Sequence, residues 1–185
     1  MPPSDRREQL LDAAARLFAE RGFHGVSVHD IGAACGISGP AIYRHFAGKD
    51  DLLAQSLTAI SERHVAEATQ RIARRDEPDA TLDSLISWHI DFALTHPELI
   101  VIQDREWSNL TADAQERVRE LQLSYIDAWV SVLRQLRGDL DPAEARAAVQ
   151  AMFGLLNSTP HSARISESRM RRLLAQMARS ALLPQ

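Results

Sequence analysis

The stretch Ser27–Phe46, SVHDIGAACGISGPAIYRHF, constrains this chain more than any other. Ser27 and Asp30 have the S-x-x-[DE] spacing in which each side chain satisfies the other's backbone N–H at a helix start. Val28, Ile31 and Ala34 then recur at helical spacing, and Gly36 suits the left-handed position after a helix end. Ser38 can cap a second helix, Pro40 is tolerated in its first turn, and Ile42, Tyr43 and Phe46 give it a buried and half-buried side. Helix, tight turn with glycine, helix is the helix-turn-helix arrangement, whose second helix enters a DNA major groove.

From about Arg7 to Leu53 the chain resembles the DNA-binding region of the TetR/AcrR family of transcriptional regulators. The resemblance rests on Ala13–Phe18 (AAARLF), Gly22-Phe23, Ser27-Val28-x-Asp30-Ile31, Ala34–Ser38 (ACGIS), Ile42-Tyr43-x-His45-Phe46 and Lys49-Asp50-x-Leu52-Leu53, all in order. Val26 stands where the family usually has a threonine that meets the DNA backbone. Pro40 removes a backbone donor near the start of the reading helix. The resemblance implies an all-α fold of about nine helices. Residues 1–48 are expected as a three-helix DNA-binding domain. Residues 49–185 are expected as a helical effector-binding and dimerisation domain, with 49–75 as a long linking helix.

Within the reading unit, Ile42 and Phe46 are four apart and point inward. Gly39, Pro40 and Ala41 occupy the exposed N-terminal end, where such a helix meets base edges. None makes the bidentate pairings of Arg or Asn, so direct readout is thin, although Ala41 suits a thymine methyl. Arg44 is the one strong donor for a guanine edge or a phosphate. By resemblance Tyr43 and His45 take backbone-contacting positions, with Lys49 at the next helix start and Ser27 and Ser38 at the two helix caps. A half-buried aromatic for Tyr43 and a solvated charge for Lys49 are the plainer readings of the same residues.

The formal net charge of −4 runs against nucleic-acid binding until it is divided. Residues 1–50 hold six basic groups (Arg6, Arg7, Arg16, Arg21, Arg44, Lys49) and six acidic ones (Asp5, Glu8, Asp12, Glu20, Asp30, Asp50). The deficit lies entirely in the rest of the chain, so weak binding to random duplex is expected. At 185 residues, 45% hydrophobic and 25% charged, the chain can bury a real core. No stretch approaches the roughly 20 apolar residues of a membrane span. The start, MPPSDRREQL, lacks the apolar core of a signal peptide, so a cytoplasmic protein is expected. The single Cys35 excludes an intrachain disulfide.

Helical periodicity continues throughout. Arg6–Arg21 is expected as one amphipathic helix capped near Ser4 or Asp5, and Lys49 to about Arg75 as the linking helix. Further helices are expected at 81–96, 97–107, from Thr111 to Gly138, from Asp141-Pro142 to about Ser158, and from Ser166 to about Leu183. The last two carry bands of small and apolar residues, including Ala148, Met152, Leu155, Leu174, Met177 and Ala181. Two such helices from each of two copies make a four-helix interface, although intrachain packing explains either band alone. A small reading unit needs two copies for a useful site, which implies a homodimer on a palindromic operator in double-stranded DNA.

The resemblance also implies a small-molecule effector enclosed by the C-terminal helices. The polar or aromatic residues on apolar stripes are Trp88, His89, Gln103, Trp107, Tyr125, Trp129 and Asn157, with His64 and His161 beside them. His89 is the clearest candidate, and equally reads as a core histidine satisfied by a neighbour. Few charges on these stripes favour an apolar or amphipathic effector. The segment Gly154–His161 (GLLNSTPH) resembles regulators of lipid or acyl-thioester catabolism, pointing to an acyl-CoA-like molecule. The seven histidines show no H-x-x-x-H pair on one helix face and there is no C-x-x-C, so no metal is expected. No nucleophile elbow or phosphate loop occurs, so neither enzyme activity nor a cofactor is expected. The expected function is a one-component, ligand-responsive transcriptional regulator of the repressor kind. A regulator controlled by a protein partner, and more remotely an all-helical enzyme or adaptor, are the competing readings.

Overall fold

A computed structural model describes residues 3–183, and all regular structure among them is helical. The elements are α1 (Pro3–Arg21), α2 (Val28–Ala34), α3 (Gly39–Ile42), α4 (Lys49–Ala73), α5 (Pro78–Thr95), α6 (Pro97–Arg105), α7 (Ala112–Leu136), α8 (Pro142–Leu156), α9 (Thr159–Ser162) and α10 (Glu167–Leu182). The nine expected helices are present, and the single turn α9 is an addition. The side chains of Ser4 and Asp5, expected at the first cap, lie outside the described residues.

Ser27, Thr111 and Asp141 cap their helices with side-chain bonds, whereas Ser38 and Ser166 stand at cap positions without one. Asp30 N–H donates to Ser27 Oγ at 3.1 Å and Ser27 N–H donates to Asp30 Oδ2 at 2.8 Å. Asp141 and Glu144 form the same reciprocal box at the start of α8. Gly36 takes φ +67° after α2, while Ile37 N–H bonds Gly32 O at 2.9 Å and Gly36 N–H bonds Ala33 O at 3.1 Å. That pair of bonds is a Schellman stop, which requires the left-handed backbone that glycine adopts without strain. The α5 helix begins at Pro78, three residues before the expected Thr81, because proline is pre-set for a first helical position. The α3 helix is one turn only. Beyond it His45 and Phe46 N–H both bond Ile42 O, so the chain stays coiled to Phe46 while Gly39 and Pro40 weaken the regular ladder.

The chain forms two compact units, one of Met1–Ser61 with Glu98–Arg119 and the other of Glu62–Pro97 with Glu120–Gln185. They divide the chain elsewhere than at residue 48. In the first, Leu10, Ala14, Phe18, Phe23, Ile31, Ile42, Phe46, Leu52, Leu53 and Leu57 are joined in one core by Ile102, Leu110 and Val118 from the later segment. Arg105 reinforces this join, donating from Nη1 to Ala19 O at 3.0 Å.

In the second unit, Leu82, Leu85, Ile86 and Ile90 of α5 pack with Trp129 and Leu133 of α7, Val149 and Met152 of α8, and Met170, Leu174 and Ala178 of α10. Surface ion pairs link the same helices, Arg179 meeting Asp79 at 2.7 Å and Arg171 meeting Asp91. Met152 and Leu174, expected at a subunit interface, are 1% and 2% exposed and belong to this intrachain core. Both helices bury the side carrying them against their neighbours in the same unit. Of the other interface residues, Ala148 and Leu155 are half-buried against the core, while Met177 and Ala181 face outward.

Candidate functional site

The reading surface is built on the short α3. Its floor is Ile42 and Phe46, both buried against α1, α2 and the start of α4. That burial turns Tyr43, Arg44 and His45 outward: all three are exposed, and Tyr43 is 60% exposed, a high value for so large an aromatic. Ser38 and Pro40 are exposed and Ala41 is half-buried at the N-terminal end of α3, with Ser38 at the cap position but without a side-chain cap bond. The Ser27 hydroxyl is committed to its box with Asp30.

Lys49 stands at the start of α4, as expected, and its ammonium has partners within the chain. Its Nζ donates to Phe23 O at 3.0 Å and Val26 O at 3.2 Å, and sits 4.4 Å from the centroid of the Phe23 ring. The ammonium satisfies loop carbonyls that no helix supplies with donors, so it braces the α1–α2 connection. Beside it runs an open groove of about 700 Å³ lined by His24–Asp30, Tyr43 and Gly48–Asp50. Sequence reasoning missed His24 and His29 in this groove, because five residues of separation across a loop carry no periodic signal.

The second unit holds a buried polar and aromatic cluster. His89 is 3% exposed. Its Nδ1 lies 3.1 Å from Tyr125 Oη and its Nε2 lies 3.0 Å from Asn157 Oδ1. With Asn157 Oδ1 as acceptor, Nε2 carries the proton, and Nδ1 accepts from the Tyr125 hydroxyl. Burial pushes the His89 imidazole down to about 4, and pushes the Tyr125 phenol up. His64, held well below its ordinary value by burial, stacks on Tyr125 at 4.9 Å between centroids and meets Phe92 and Trp88 edge-on at 4.5 and 5.0 Å. Phe153 stacks on His89 at 4.8 Å and on Tyr125 at 5.3 Å, with Trp129 edge-on at 5.1 Å. Two shielded nitrogens in the cluster, His64 Nε2 and Trp129 Nε1, have no hydrogen-bond partner.

The structure therefore brings together His64, Trp88, His89, Tyr125, Trp129 and Asn157 of the residues expected around an effector. Gln103 and Trp107 belong to the other compact unit, where Trp107 packs half-buried against the N-terminal core. Phe92 and Phe153 were missed, since an aromatic on an apolar stripe is indistinguishable from core until its neighbours are known. His161 is exposed. No helix among the described residues is long and apolar enough to cross a membrane.

Comparison with known proteins agrees with this layout. Residues 10–55 match the family "Bacterial regulatory proteins, tetR family", and residues 75–161 match "Tetracyclin repressor-like, C-terminal domain". The chain is 30% identical over 155 residues to the HTH-type transcriptional repressor KstR2 of Rhodococcus jostii, covering 76% of each chain. A TetR-family regulator from Bordetella parapertussis superposes with a TM-score of 0.82 at 22% identity, over 96% of this chain and 94% of that one. The regulator FadR of Bacillus subtilis, solved with stearoyl-CoA, superposes with a TM-score of 0.73 at 18% identity, over 94% and 98%. With the two family matches in chain order and the reading surface folded as described, the chain belongs to the TetR family and is a DNA-binding regulator of transcription.

Proposed function

We propose that this protein is a homodimeric cytoplasmic repressor, released from a palindromic operator by an amphipathic acyl thioester held in its C-terminal unit. One observation carries the effector half: His89 is gripped by Tyr125 and Asn157 beside two shielded nitrogens, His64 Nε2 and Trp129 Nε1, that lack partners. A buried polar group left unpaired costs roughly 1–3 kcal/mol, which a ligand carbonyl can recover at the indole N–H. The surrounding aromatic rings suit an acyl chain. Phe153, stacked on His89 and Tyr125, is the side chain that turns aside to admit it. The stearoyl-CoA complex of the Bacillus subtilis relative supports the effector class, and the repressor named in Rhodococcus jostii supports the sign of control.

The partner surface is read from α8 and α10, which pack together and leave Ala147, Ala151, Leu173, Met177 and Ala181 exposed. A second copy covering that strip gives two reading units, the requirement for a two-fold operator. An effector then shifts the dimer only by its differential affinity for the operator-matched and mismatched shapes, typically about 5–150-fold.

The test is selection of a duplex from a random pool, followed by anisotropy of that duplex with the full chain and stearoyl-CoA or isovaleryl-CoA added. Enrichment of a palindrome and its release by an acyl-CoA, with Trp88 and Trp129 fluorescence changing in step, is the expected result. Release that survives His89→Ala and Trp129→Phe alike would remove the effector from this cluster.

A further inference from the structure

The groove beside α3 has a charge balance at odds with its position. Among its lining side chains one cation, Lys49, faces two carboxylates, Asp30 and Asp50. Asp30 is kept in its charged form by the Ser27 hydroxyl and backbone N–H, which hold it below the ordinary carboxylate range, with Arg21 at the end of α1 acting in the same sense. Lys49 directs two of its three donors to Phe23 and Val26 carbonyls. Yet the groove ends on the exposed Tyr43 of the reading surface, where a duplex presents roughly one phosphate charge per 1.7 Å of axis. The reading segment of the sequence, residues 1–50, is formally neutral and has no surplus of Arg or Lys to offset that charge.

The remaining basic side chains in the lining are His24 and His29. Both are exposed, His24 on the α1–α2 connection with its ring edge-on to Phe23 at 5.4 Å, His29 in the first turn of α2. When both carry a proton the lining changes from one net negative charge to one net positive charge. Histidine is the side chain that makes this change near neutral pH. We propose that the groove seats a backbone phosphate of the operator, that His24 and His29 hold it as imidazolium ions, and that operator binding therefore takes up protons at this site.

The sign follows from linkage: a bound phosphate favours the protonated rings, so affinity rises as pH falls through the histidine range. The groups facing the two rings are Asp30 on α2, Tyr43 after α3, and Lys49 and Asp50 at the start of α4.

The experiment uses the full chain and a fluorescein-labelled duplex recovered by selection from a random pool, titrated between about pH 6 and pH 8 at several salt concentrations. For the natural sequence, binding about tenfold tighter at the acid end is expected, with proton uptake seen by calorimetry in buffers of different ionisation enthalpy. H24Q/H29Q should lose most of that pH dependence, and at the acid end its log K against log salt slope should flatten by roughly 0.9 for each phosphate no longer neutralised. A merely structural role for the rings moves neither the proton count nor the salt slope. The single variants H24Q and H29Q, each losing part of the uptake, serve if the double variant misfolds by circular dichroism. Affinity of the natural chain that does not change with pH overturns the proposal. So does a double variant that keeps the full dependence, or transfer of the whole effect to H45Q, since His45 lies outside the groove.

Discussion

The hydroxyl of Tyr125 donates to Nδ1 of His89 across 3.1 Å, and the opposite ring nitrogen is spent on Asn157 at 3.0 Å. The ring is thus satisfied as a neutral imidazole, and burial holds it down to about 4, against about 6.5 in an exposed chain. The unfolded chain therefore binds more protons between those two values, and stability falls as pH drops through that window. His64, also held down by burial, acts in the same direction. The unfolding free energy from urea titration should decline from pH 7 to pH 5 by an amount on the order of 2 kcal/mol, and His89→Leu should flatten the decline. Equal midpoints at both pH values would contradict a buried neutral His89.

Arg44 and Tyr43 are exposed on the reading surface, and no ion pair among the described residues holds Arg44. Arg44→Ala and Tyr43→Ala should each weaken operator binding by about 1–3 kcal/mol. Circular dichroism and melting temperature should stay unchanged. Two variants with undiminished affinity would take α3 out of the groove.

Two methionines, Met152 on the buried side of α8 and Met177 on the exposed side of α10, should separate core from interface. Met152→Ala removes a side chain that is 1% exposed and should cost about 2–5 kcal/mol in urea unfolding. Met177→Glu, at a position 43% exposed, should leave the secondary structure intact and halve the mass seen by light scattering. A Met177→Glu protein of undiminished mass places the subunit interface elsewhere.

Lys49→Met keeps the aliphatic stem and deletes the two bonds to Phe23 and Val26 carbonyls. Bonds from a charged donor are worth roughly 1.5–3 kcal/mol, so loss of stability in that range is expected. Amide exchange should quicken in the α1–α2 connection first. A purely phosphate-binding Lys49 would instead lower DNA affinity and leave exchange as it was.

What was legible in the sequence had short range. The box at Ser27–Asp30 relies on partners three residues apart, the Asp141-Pro142 cap on adjacent residues, and the Gly36 stop on a single backbone preference, so all could be read directly. The clustering of Trp88, His89, Tyr125, Trp129 and Asn157 was legible as polar interruptions of apolar stripes. Phe153 offered no such interruption, and the facing of Met152 and Leu174 depends on which neighbour each helix meets. The bonds from Lys49 to two loop carbonyls were not legible, because a cation at a helix start reads alike whatever it meets. The enrolment of Glu98–Arg119 in the N-terminal unit depends on packing with α1 more than eighty residues away, including the bond from Arg105 to Ala19.

That enrolment governs how the protein can be re-engineered. The chain passes between its two compact units three times, after Ser61, after Pro97 and after Arg119. A chimera that exchanges reading heads between relatives at one junction takes Leu10, Phe18 and Ile31 from one parent and Ile102, Leu110 and Val118 from the other. Such hybrids inherit a mismatched core. Transplanting Glu98–Arg119 together with the head keeps the packing of one parent, and makes the later segment the piece that decides whether a new sensor and a new reader can share a chain.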